Sequence, residues 1–165
     1  MKGEKSVPKV SSAARKRLLM NLRSSAAHPA SGSSATRFVV DTSVLVSAPF
    51  FGGHAQELLL HVAQKQTMLL SSDIVDEFVA FARKTDPKTS HQTLRLMRQI
   101  LTQFIYEYDK SVSVKIRDVH DVHLLQLAHQ YNASIISSDN DLLTNRFDAS
   151  IAILSIDDYC QLFGL

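Results

Sequence analysis

Four acids stand where an acid is costly unless it has work to do: Asp41, Glu77, Asp121 and Asp139. Asp41 and Asp139 each close an apolar run, FVVD and ASIISSD, which is how a buried parallel strand delivers a carboxylate to its C-terminal tip. Glu77 stands three residues after Ile74 and four before Phe81, on the stripe that periodicity turns toward the core. Asp121 precedes Leu124, Leu125 and Ala128 by three, four and seven residues, in a first helical turn where the macrodipole favours an acid. Helix capping is the simpler use for Asp41, and for Asp118 or Asp121. Carboxylates gathered in one crevice repel each other, and the usual remedy is a hard divalent cation with oxygen ligands, Mg²⁺ or Mn²⁺. Such a cluster suits in-line displacement at phosphorus and needs no side-chain nucleophile. No nucleophile elbow or Gly-rich phosphate loop is present. Aspartyl-phosphate chemistry would want a second Asp two residues after Asp41, where the chain has Ser43.

The elements around these acids alternate between strands and helices. Phe38 to Asp41 reads as a first strand, followed by a short helix and a turn at Pro49 to Gly53. Ala55, Leu58, Leu59 and Val62 recur at helical spacing, Thr67 to Ser71 reads as a second strand, and Ser72 is the expected cap of a helix running to about Lys84. A long helix is expected from Lys88 to Phe104, a strand from the alternation of Val112, Val114 and Ile116, a strand at Ala133–Ser138, and a last strand and helix at Ile151–Leu154 and Ile156–Phe163. This pattern predicts an α/β fold, a three-layer α/β/α sandwich around a short, mostly parallel sheet. In open sheets of this kind ligands bind outside the strand tips, near the point where strand order reverses.

Composition sets the frame. A chain of 165 residues, 45% hydrophobic, with a single cysteine, fits one domain without a disulfide framework and a reducing cytoplasmic setting. No apolar stretch approaches the roughly 20 residues of a membrane span. Charge is uneven: residues 1–37 hold eight of the 18 basic residues but one of the 16 acidic ones, so that stretch is +7 and the remainder −5. Residues 1–36 are expected to form a flexible basic extension, rich in Ser, Ala, Lys and Arg, ahead of a folded domain at 37–165. Arg83, Lys88, Arg95 and Arg98 cluster around the start of the long helix and are candidates for phosphate-backbone contacts.

Taken in order, FVVDTSVLVSA, SSDIVDEF, RDVHDVHLLQLA and IISSDNDLL resemble the PIN domain, and more narrowly the PIN-family toxins of prokaryotic toxin–antitoxin systems. The resemblance covers Arg37 to Phe163. It implies a Mg²⁺- or Mn²⁺-dependent ribonuclease whose catalytic, metal-holding acids are Asp41, Glu77, Asp121 and Asp139, with Asp141 auxiliary and Thr42, Ser43 and Ser137 supplying polar groups beside them. It also implies an RNA substrate, a small antitoxin partner and dimer formation. The family usually has Asn at the position of Ser43 and Thr at that of Ser137, and both replacements keep a polar group. The alternative expectation is a PIN-fold module that binds nucleic acid or protein with little or no turnover.

Overall fold

A computed structural model of the chain describes residues 11–27, 35–114, 119–146 and 150–165. Four short strands, β1 (Arg37–Val40), β2 (Thr67–Leu69), β3 (Ser134–Ile136) and β4 (Ile153–Leu154), form one all-parallel sheet in the order β2-β1-β3-β4. A parallel bridge between Leu70 and Ile105 extends the edge beyond β2. The chain thus builds outward from β1 on one side and returns across it to start β3. The reversal of strand order lies between β1 and β3, so the crevice expected of an open α/β sheet opens beyond Val40 and Ile136.

Helices cover the sheet: α1 (Ser12–Ala27), α2 (Thr42–Phe51), α3 (His54–Lys65), α4 (Ser72–Thr85), α5 (His91–Leu101), α6 (Val122–Tyr131), α7 (Asn140–Thr144) and α8 (Ile156–Phe163). The strands are buried on both faces, with Val39, Val40, Leu69, Ile135 and Ile136 inaccessible to solvent. That is why they read as apolar runs rather than as an alternation. Among the described residues no helix is long and apolar enough to cross a membrane.

The α/β architecture is as expected, but several elements differ from the sequence expectation for physical reasons. Residues 12–27 are not a solvated tail: they form α1, whose Leu18, Leu19 and Leu22 lie in the core. Arg15 pins this helix down, with Nε donating to the Pro49 carbonyl at 3.0 Å, Nη1 3.4 Å from Asp86 Oδ2, and its guanidinium 4.4 Å above the Phe50 ring. The turn after α2 is confined to Gly52 and Gly53, both at positive φ, while Pro49 lies inside the helix. Val112–Val114 form no strand, and Ile116 lies outside the described residues. The Ile105 segment borders β2 instead, through Leu70 N to Phe104 O at 3.0 Å and Tyr106 N to Leu70 O at 2.9 Å. Ser71, not Ser72, caps α4, accepting from the Ile74 amide at 3.2 Å. The long helix is shorter than expected, 91–101 with a 3₁₀ turn at 102–104.

Candidate active site

Asp41 leaves β1 with its amide donating to the Ile136 carbonyl at 3.0 Å, which seats it on the boundary between β1 and β3. It occupies the N-cap position of α2, yet its carboxylate makes no cap bond. Instead Oδ2 accepts two hydroxyl hydrogens at 2.7 Å each, one from Ser43 Oγ and one from Ser137 Oγ. A carboxylate only 8% exposed needs such compensation, and hydrogen bonds to a charged acceptor are among the stronger ones. Each serine has a single hydrogen, so both hydroxyls are fixed in orientation by the acid. Their lone pairs then accept backbone amides, Ser138 N on Ser43 at 3.1 Å and Asp139 N on Ser137 at 2.9 Å. The tip of β3 is thereby stitched to the tip of β1 through Asp41.

Glu77 joins the same region from α4 by another route. Thr42 Oγ1 lies 2.8 Å from Glu77 Oε2 and 3.4 Å from the Ile74 carbonyl, so the residue after Asp41 carries the link. Glu77 itself is exposed, and Phe81 is 56% exposed, which corrects the expected stripe: α4 buries Ile74, Val75, Phe78 and Ala82. Glu77 therefore stands at the rim of the helix face, reaching inward with one oxygen. Asp139 caps α7, its Oδ1 accepting the Asp141 amide at 2.7 Å, while Asp141 lies exposed in the first turn. Asp121 is half-buried at the end of a 3₁₀ turn (Val119–Asp121) and makes no side-chain cap bond to α6. Asp118, the other expected cap, lies outside the described residues.

The neighbouring acids on α4 are committed elsewhere. Asp73 accepts from Lys110 Nζ at 2.8 Å and from Tyr108 Oη at 2.9 Å; the Lys110 bond leads in holding its carboxyl below the usual value, and burial together with Asp73 drives the Tyr108 phenol up. This trio was not legible, because 35 and 37 residues separate the partners. Asp76 pairs with Arg98 at 2.7 Å, so Arg98 already has a partner among the four basic candidates. Arg83, Lys88 and Arg95 are exposed.

The structure thus links Asp41, Glu77 and Asp139 through Thr42, Ser43 and Ser137, and among the described residues no arginine or lysine pairs with any of the three acids. One oxygen of each, Asp41 Oδ1, Glu77 Oε1 and Asp139 Oδ2, has no hydrogen bond among the described residues. It does not draw the acids into a closed cage: among the described residues no three His, Cys, Asp or Glu side chains form a group able to hold a metal ion. Mg²⁺ does not demand one, since it keeps several waters and is commonly held by one or two carboxylates plus substrate phosphate. Hard oxygens left free at a switch point fit that mode.

The family model for the PIN domain matches residues 37–141, from β1 into α7, a span that includes every acid described above. Comparison with curated proteins finds no match.

Proposed function

The chain belongs to the PIN-domain family, whose members are generally nucleases, and from that premise we propose that it is a metal-dependent endoribonuclease acting as the toxin of a toxin–antitoxin pair. The observation that carries the reading is Asp41. It occupies a cap position without a side-chain cap bond, lies at the reversal of strand order, and is oriented by two serine hydroxyls that both donate to its Oδ2 at 2.7 Å.

In this reading Asp41, Glu77, Asp121 and Asp139 hold Mg²⁺ or Mn²⁺, which when bound would acidify water and neutralise the phosphate. The chain's own residues do the positioning. Ser43 and Ser137 fix the Asp41 carboxylate so that Oδ1 faces away from its hydroxyl partners, and Thr42 holds Glu77 against the same strand tip. The free carboxylate oxygens accept the hydrogens of the attacking water and turn its lone pair toward phosphorus. The departing 3′-oxygen takes its proton from solvent, leaving a 5′-phosphate on the other fragment. Asp141 adds negative charge beside Asp139, and Arg83, Lys88 and Arg95 contact the backbone of the RNA away from the cut. The toxin assignment rests on the order and spacing of the four motifs. It implies a small antitoxin that occupies the acidic crevice, a homodimer, and action in the cytoplasm.

Incubation of the purified chain with single-stranded RNA and Mg²⁺ or Mn²⁺ tests this. Cleavage is expected, and is expected to disappear in EDTA and in Asp41→Asn; cleavage unchanged by both would reject it. The absence of a three-acid group among the described residues supports a second reading, a binding module of weak or no turnover. That reading predicts RNA bound without cleavage at any concentration of either ion.

A further inference from the structure

We propose that Phe81 is a stacking platform for a base of a single-stranded nucleic acid, with Lys84 taking a phosphate of the same strand; this deepens the nuclease reading and rests on it. A lone exposed phenylalanine is ordinary in itself. What singles out Phe81 is its place. It lies one turn beyond Glu77, about 6 Å along the axis of α4, and Lys84 follows about 4.5 Å further on the same side. Glu77, Phe81 and Lys84 are all exposed, so an acid of the proposed site, a ring and an ammonium lie in line along one helix.

The ring is 56% exposed and has no aromatic neighbour among the described residues. Among those residues α4 exposes no other large hydrophobic side chain, which is too little apolar surface for a protein to seal. A base needs only one flat face, and stacking on an aromatic ring tolerates any base. The charge around the ring favours a polyanion. Asp76 is neutralised by Arg98 at 2.7 Å, whereas Arg83 and Lys84 have no ion pair among the described residues.

The chain contains no tryptophan, so Phe81→Trp installs the sole indole of the protein. The full chain carrying Phe81→Trp and Asp41→Asn, the latter to keep the strand intact, is titrated with end-labelled oligoadenylate and with an abasic strand of equal length. Emission is expected to be quenched by oligoadenylate and not by the abasic strand. In the Asp41→Asn background Phe81→Ala is expected to weaken oligoadenylate binding about 5- to 150-fold while leaving abasic binding unchanged. Oligoadenylate that binds without changing the emission, and equally well to Phe81→Ala, overturns the platform and leaves the nuclease reading standing. Emission that shifts with protein concentration in the absence of RNA assigns the ring to a second copy of the chain and overturns it too. RNA neither bound nor cleaved by the parent chain removes the nuclease reading and the platform together.

Discussion

Replacing Ser137 with alanine removes a hydroxyl that is fully buried and serves two partners at once. It donates to Asp41 Oδ2 at 2.7 Å and accepts from the Asp139 amide at 2.9 Å. A hydrogen bond to a charged group contributes roughly 1.5–3 kcal/mol, and an amide left without its acceptor adds up to about 1 kcal/mol where water reaches it only partly. The sum predicts a loss of about 1.5–4 kcal/mol. Ser43 makes the equivalent bond to the same oxygen but is only half-buried, so water substitutes for it and Ser43→Ala should cost about 0.5–1.5 kcal/mol. Urea unfolding followed by circular dichroism at neutral pH, with unchanged slope, measures both. A double-mutant cycle with Asp41→Ala should return a coupling of about 1–2 kcal/mol for Ser137. A loss at Ser137 below about 0.5 kcal/mol, or one smaller than that at Ser43, would refute the claim that buried hydroxyls hold the first acid in place.

Leu18→Ala, in a segment whose composition reads as a tail, should destabilise by about 2–5 kcal/mol in the same assay, because the side chain is 1% exposed against the core. His61 donates to or accepts from Tyr159 Oη at 2.7 Å, and burial, aided by Lys65, holds its pKa below the ordinary 6.5. The folded state therefore binds fewer protons than the unfolded one, so stability is complete above about pH 6.5 and declines as pH falls through that value toward the folded one. His61→Gln should flatten that decline in unfolding midpoints measured between pH 7 and 5. Thr42→Val cuts the link to Glu77 and should lower RNA cleavage about 10- to 100-fold while the far-ultraviolet spectrum stays unchanged, which steady-state kinetics on a labelled strand will read.

The parts of the fold that were legible are those whose signal is local. Val39, Val40, Ile135 and Ile136 announce buried parallel strands because both faces of the sheet are covered, and the acids at their tips follow from the same runs. Helix α1 was masked because Leu18, Leu19 and Leu22 sit among Arg, Lys and Ser, and because the docking of Arg15 depends on Pro49 and Asp86, 34 and 71 residues away. Val112 and Val114 alternate as a strand would, but the edge of the sheet was taken by Ile105. Phe81 fits the apolar period of α4 and still lies outside the core, since periodicity gives a face and not what covers it. At the site, position alone marked Asp41 and Asp139, whereas the way Ser137 and Ser43 share one carboxylate oxygen exists only once β1 and β3 are side by side.

Calorimetric titration of Mn²⁺ into the wild-type chain and into Asp41→Asn, Glu77→Gln, Asp121→Asn and Asp139→Asn tests the central claim most directly. The account predicts saturable binding to the wild type, lost in Asp41→Asn and weakened in the other three. Binding of equal affinity in all five proteins, or none in the wild type even with RNA present, would contradict it.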